Sequence, residues 1–467
     1  MEVIMATRAK TYPLTAAQKL HFFSLEHCPR KSLSNIGTSV TLDHDVDWNA
    51  LKAAIYKAYD RCESMRLRFK KNSKGETVQY IVPKETRDIE FHNFENNTME
   101  EAKQVMIKWT STPFELYESP LNRVVMISMP DGYKGMYLLV HHMTMDAQSL
   151  IIFFADVLQI YCNMKFPESV EAPGPLSSYI EQLQKDLKYE GSKAQERDKK
   201  YIYDLLESSE PSYADIDGAR EMKELRKKTN NPKLHAMHRE NRTIEATIDK
   251  FHLEEEPSAR LMNFCENYRI PMVCLLLLGL RTYFQKFNYI DDISINTAIA
   301  RRATLAEKNS GGTRIHCFSF RTIIPRDMTF LEALHEIQYQ QNQLFRHANF
   351  DPVDAMRHRA EYYAEKSMGG TYEPMALTYQ PLTLKAAKAT YDVPYKTDWY
   401  TNGVAAQELY LTVMHRVDDN GLDFNFEYQK AHVTYEKLEK FYYYLCKILF
   451  LGVQNPNKMI GEIIDEV

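Results

Sequence analysis

The stretch Met136–Tyr161, MYLLVHHMTMDAQSLIIFFADVLQIY, decides how the chain is read. Apolar residues run into two adjacent histidines, His141 and His142; Asp146 follows, and an apolar pattern at helical spacing begins after it. The run before the histidines reads as a buried strand, and the segment after Asp146 as a core helix. A strand feeding directly into a helix is the recurring step of α/β architecture. Adjacent strand residues point to opposite faces. His141 and His142 therefore cannot share a role: one faces the interior and the other a cleft. Asp146 stands where it can cap the free N–H groups of the helix or hold a nearby cation.

A strand end is also where α/β proteins place reactive groups, because the following loop is accessible yet held by the core. A histidine without an obvious serine or cysteine partner suits general-base work, taking a proton from an amine or hydroxyl as it attacks a carbonyl. The competing reading is that both histidines only pack and that Asp146 is only a cap. No metal is expected, since the pattern has neither a histidine pair at i, i+4 nor cysteine ligands nearby.

The whole chain narrows the choice of function. Its 467 residues exceed one ordinary core and predict two lobes. A hydrophobic share of 44% with 26% charged residues fits a soluble globular protein. The net charge of -5 is small for this length, so nucleic acid is not an expected partner. Seven cysteines, none in a CxxC pair, fit a reducing cytosol and argue against structural zinc. With no continuous apolar run of about 18 residues, a cytoplasmic protein without a membrane partner is expected.

Outward from the histidines, helix and strand signals alternate. Asp47 can cap a helix presenting Leu51, Ile55 and Tyr59 on one face. MRLRFKK from Met65 and TVQYIV from Thr77 read as strands around NSKGE, and NRVVMISM and MYLLV as two more around DGYKG. A charged connector fills the span from Lys185 to Asn241. Beyond it, PMVCLLLLGLRTYFQKF from Pro271 is a buried helix with proline at its start, and DDISINTAIA is a strand. ELYLTVMHR and GLDFNFEY flank the turn signal Asn420-Gly421, which predicts a hairpin with Leu409, Leu411 and Val413 facing Leu422, Phe424 and Phe426. Thr434 can cap a last helix with Leu438, Phe441, Tyr442, Leu445 and Leu449 in a stripe.

Taken in order, these segments resemble a condensation domain of nonribosomal peptide synthesis, within the chloramphenicol-acetyltransferase-like superfamily. HHMTMDA resembles the HHxxxDG motif, YPLTAAQKLHFF (Tyr12 to Phe23) the family's opening motif, RCESMRLRF its LR segment, and PFELYESPLNRVVM the segment upstream of the histidines. DDISINTAIARR, SFRTIIPR from Ser319, HANFDPVDAM from His347 and PMALTYQP from Pro374 resemble the later motifs in the expected order.

The resemblance implies two acetyltransferase-like lobes, residues 1–178 and 179–467, in a V-shaped pseudo-dimer with a central tunnel. It implies that His142 assists attack of an acceptor amine on a donor thioester, and that His141 and Asp146 serve structure. Arg66 is the implied partner of Asp146, with Arg61 as the alternative. Thr378, Tyr379 and Gln380, with Arg321, are expected along the substrate tunnel. No bound cofactor or metal is implied; substrates would arrive on phosphopantetheine arms of carrier proteins, with a small amine or amino acid as acceptor and a monomeric enzyme. Transfer to an alcohol, from coenzyme A or a carrier, is the second reading, and a silent carrier-docking platform the third. Three positions depart from the family pattern: Ala147 replaces its glycine, Arg321 its asparagine and Leu183 its tryptophan. Alanine cannot freely take positive φ. The backbone at Ala147 therefore decides how far the family's loop geometry carries over.

Overall fold

The computed structural model describes residues 10–208, 214, 216, 218, 220–234, 244–366, 373, 375–381, 384, 393–416 and 419–467. Pro374, which opens the PMALTYQP segment, and part of the charged connector lie outside them. The chain divides into two compact units, each assembled from three segments: Met1–Glu190, Arg301–Ile315 and Leu382–Gly403 in the first, and the intervening segments with Val404–Val467 in the second.

This corrects the single boundary expected after residue 178. The helix Tyr179–Tyr189 buries Tyr179 and Leu183 in the first unit's core. The late strand Tyr395–Tyr400 pairs with Asn35–Leu42 and completes that unit's sheet. Such exchanges of chain leave no mark in local composition.

The first unit is built on a five-stranded sheet in the order Tyr395–Tyr400, Asn35–Leu42, Lys134–His141, Asn122–Ser128, Glu90–Asn93. All pairs are antiparallel except the last. Its central strand, Lys134–His141, shows why the motif begins with an unbroken apolar run. Met136, Leu138 and Val140 enter one cluster with Ile55, Tyr59, Phe153 and Val157, while Tyr137 and Leu139 enter another with Ala102 and Met106. Both faces of the strand are covered, so period-two alternation disappears from the sequence.

The helices Trp48–Arg61 and Ala147–Lys165 cover the first face, and Met99–Thr110 covers the second. Asp47 caps the first of these through the Ala50 N–H at 3.0 Å, as its sequence predicts. The helix Ala147–Lys165 has the length and mean hydropathy (1.3) of a membrane span, yet half of that stretch is buried and Leu150, Phe153, Phe154, Val157 and Leu158 belong to the core. Tyr12–Pro13, Thr77–Ile81 and Leu67–Lys71 make a separate three-stranded sheet.

The second unit carries six strands in the order His316–Ile323, Asp292–Ile299, Met375–Gln380, Leu409–His415, Leu422–Gln429, Ala246–Leu253. The predicted hairpin is present: Leu411 faces Phe426 and Val413 faces Phe424, while Leu409 meets Tyr428 and Leu422 meets His415. Asn420, in the connection between the two strands, takes a left-handed φ of 57°, which asparagine adopts more readily than most residues. One continuous apolar cluster joins this sheet to the helices Met272–Asn288, Phe330–His347 and Tyr435–Gln454. Gly279 lets two of these helices approach closely, since a Cβ there would meet Leu449 at 2.6 Å and Leu445 at 2.9 Å.

Candidate active site

The central strand ends at His141, and the helix begins at Ala147. His141 is 3% exposed; its Nδ1 accepts the Met143 N–H at 3.1 Å, which leaves the ring proton on Nε2. Its backbone N–H donates to Leu121 O at 2.9 Å, and Thr144 Oγ1 donates to its carbonyl at 2.8 Å. Burial, then the charge on His142, pushes the His141 pKa down to about 3. This ring is a fixed, neutral part of the loop.

His142 differs in its exposure and in what its ring touches. It is partly exposed, and its N–H donates to Ser34 O at 2.6 Å. Its Nδ1 is buried without a hydrogen bond of regular geometry among the described residues, although the residue's own carbonyl is near enough to favour the protonated ring. Burial outweighs that carbonyl and the Asp146 charge, and holds the pKa below the usual histidine value. His142 is therefore neutral near pH 7, with Nε2 as the nitrogen left for chemistry. Its ring lies against His21, with centroids 3.8 Å apart and planes 19° from parallel.

Asp146 is the N-cap of the helix, accepting the Ser149 N–H at 3.0 Å and Ser149 Oγ at 2.8 Å. Its cation is Arg302, whose Nη2 lies 2.9 Å from both carboxylate oxygens. The Arg314 N–H adds a contact at 3.0 Å. Burial alone would raise this carboxyl, but the Arg302 charge and these hydrogen bonds bring it below its ordinary value.

The expected pair Asp146–Arg66 is therefore corrected. Arg66 is bound to four carbonyls, those of Tyr59, Asp60, Val82 and Pro83, at 2.8–3.0 Å. These bonds tie the end of the helix Trp48–Arg61 to the following strands. Arg61, the alternative, pairs with Asp156 at 2.8 Å. Arg302 reaches the motif because the segment 301–315 belongs to the first unit. There Gly312, at φ 99°, turns its carbonyl toward Arg302 and Ser149, and a Cβ at this residue would strike the Tyr179 ring at 2.4 Å.

Ala147 is the first residue of the helix and is absent from the positive-φ residues. The turn does not use the freedom a glycine would offer. Among the described residues, no group of three His, Cys, Asp or Glu is placed to hold a metal.

The remaining expected residues lie in the second unit, on its sheet. Thr378 Oγ1 meets Tyr410 OH at 2.7 Å, and Tyr379 OH meets His415 Nε2 at 2.6 Å. Gln380 Oε1 is buried without a hydrogen-bond partner among the described residues. Arg321 pairs with Asp292 on the neighbouring strand.

Two residues of the corner are not expected from the sequence. Arg302 sits in the IARR segment quoted above, and its signal was an arginine pair leading to Gly311-Gly312. His21 sits in the opening motif, three residues after Gln18 and so on the same helical face. Gln18 Nε2 donates to Met143 O at 3.2 Å, next to His142.

A histidine corner locked by a buried aspartate–arginine pair at the end of a central strand defines a candidate site for proton transfer but names no family by itself. Comparison with known families supplies one, because residues 8–464 match the Condensation domain. The chain belongs to the condensation domain family.

Surfactin synthase subunit 1 of Bacillus subtilis (strain 168) is 22% identical over 463 residues, covering 97% of this chain and 12% of that protein. Bacitracin synthase 3 of Bacillus licheniformis is 20% identical over 476 residues, covering 99% and 7%. The chain thus spans less than a fifth of either relative. Among solved structures, the first condensation domain of the calcium-dependent antibiotic synthetase superposes with a TM-score of 0.78 at 16% identity, over 97% of this chain and 98% of that one. The starter condensation domain of rhizomide synthetase gives 0.78 at 16% identity, over 96% of each. At such identities the likeness concerns the fold.

Proposed function

We propose that this domain forms an amide bond, transferring an acyl or peptidyl group from a carrier-protein thioester to an amine acceptor. The observation that carries the reading is His142: a neutral imidazole just past the central strand, with no hydrogen bond to Nε2 among the described residues and its loop fixed by the Asp146–Arg302 pair. The acceptor nitrogen attacks the thioester carbonyl, the C–N bond forms and the C–S bond breaks. His142 Nε2 takes the proton from the amine and passes it to the departing thiolate. Asp146 touches neither reactant in this scheme; it holds the shape of the loop.

The family assignment supports acyl transfer, as does the similar rhizomide domain, whose structure was determined with C8-CoA and Leu-SNAC. In this reading carrier proteins deliver the substrates on phosphopantetheine arms, and the enzyme works as a cytoplasmic monomer. Thr378, Tyr379, Gln380 and Arg321 then serve substrate binding.

The test is transfer from an acyl thioester to matched amine and alcohol acceptors, with wild type and His142→Ala. Amide product is expected, with a loss on the order of a hundredfold to ten-thousandfold in the variant. Ester as the preferred product would move the function to O-acyl transfer. Carrier binding without turnover of any donor would make the domain a docking platform.

A further inference from the structure

The way the opening motif meets the histidine loop assigns a role to a residue with no part in the scheme above. We propose that His21 is a positioning residue that holds the ring plane of His142. The inference rests on the reading of His142 as the base.

The anchoring starts at Thr15. Thr15 and Gln18 form a capping box, with Gln18 N–H donating to Thr15 Oγ1 at 3.2 Å and Thr15 N–H to Gln18 Oε1 at 2.9 Å. This fixes how the helix Ala16–His27 is rotated about its axis. Gln18 is further held by Gln79 and Tyr179, at 2.9 and 3.1 Å. A helix anchored in this way presents Gln18 and His21 to the same neighbour. Gln18 secures the backbone just after His142 through Met143 O, and His21 lies flat against the ring itself.

Other histidines of the chain are stacked too, and they show what is distinctive here. His347 stacks on Tyr201 and His358 on Tyr203, with centroids 4.0 and 3.5 Å apart. Their nitrogens are also bound to Asp198 at 2.9 Å and Glu207 at 2.6 Å, so a carboxylate already orients each ring. Among the described residues His142 has no such carboxylate; Asp146, the acid of its own loop, is turned to Arg302, Ser149 and Arg314. Its ring plane is set by a flat neighbour at van der Waals distance instead. Rotation about the Cβ–Cγ bond would swing Nε2 off the line of the attacking nitrogen, and the stack blocks it.

The experiment compares kcat and the acceptor KM for His21→Leu, His21→Phe and His142→Ala, with thermal unfolding of each. Leucine fills the space without a flat face, and phenylalanine keeps the face without the nitrogens. His21→Leu should lower kcat by about tenfold to a hundredfold with the acceptor KM unchanged, as expected when a reacting group is misplaced by about an ångström. His21→Phe should recover most of that loss. Equal kcat in the Leu and Phe variants would overturn the inference, and so would a change confined to KM. If His142→Ala is inactive while His21→Leu matches wild type, the base reading stands and only the positioning role falls. Undiminished transfer by His142→Ala would overturn both.

Discussion

The two units bury different things. The second joins its sheet and helices through one apolar cluster, with Leu275, Leu276, Leu411, Phe424 and Phe441 all without exposure. The first divides its apolar residues among three clusters and keeps Gln18, Gln79, Asp146, Ser149 and Arg302 buried around the histidine loop. Buried polar groups are tolerated only when bonded, and each of these five has hydrogen-bond partners. The second unit also buries polar groups, such as Arg281 and Gln285, but the first gathers its own around the histidine loop, where Arg302 binds Asp146 through Nη2 while its Nε has no hydrogen-bond partner among the described residues.

The sharpest way to break this comparison is to remove the cation. Arg302→Ala leaves a buried carboxylate without its charge partner and should destabilise the protein by about 3–5 kcal/mol, read from urea unfolding. A double-mutant cycle between Asp146→Asn and Arg302→Ala should show strong coupling, and the same cycle with Arg66→Ala should show almost none. The opposite outcome would return Arg66 to the motif.

A smaller effect follows from His141. Its folded pKa of about 3 lies below the ordinary value of about 6.5, so the unfolded chain binds more protons in that interval. The stability is intact above pH 6.5 and is lost as pH falls toward 3, at about 1.4 kcal/mol per pH unit. Between pH 7 and pH 5 wild type should lose roughly 2 kcal/mol through this ring, a loss absent from His141→Gln. Parallel pH dependence in the two proteins would show that His141 is not the buried neutral group described above.

The smallest effect is expected at Ala147. Because this residue is the first of a regular helix, Ala147→Gly should cost about 1 kcal/mol or less and leave kcat near wild type. A large gain in rate would show that the loop wants the conformational freedom of glycine after all.

Much of this was legible in the sequence, for stated physical reasons. The helix at Asp47, the strands on either side of NSKGE and DGYKG, and the hairpin at Asn420-Gly421 are all local patterns, and each appears where its pattern predicts. His141 and Asp146 also stand as expected, one inside and the other at a helix start. What stayed hidden depends on distance along the chain. Arg302 lies 156 residues from Asp146, and no periodicity links them, whereas Arg66 was nearer and sat in a matching motif. His21 was hidden for another reason: a lone histidine on an apolar helix ordinarily packs in the core, and only the observed stack separates it from that reading.

The late arrival of Arg302 matters while the polypeptide is being made. Asp146 emerges from the ribosome 156 residues before its counter-charge, an interval on the order of 10–30 s at usual elongation rates. Over that time the strand and helix of the motif can form, but the carboxylate must stay hydrated. The corner therefore closes only after the chain has left the first unit, built part of the second and come back.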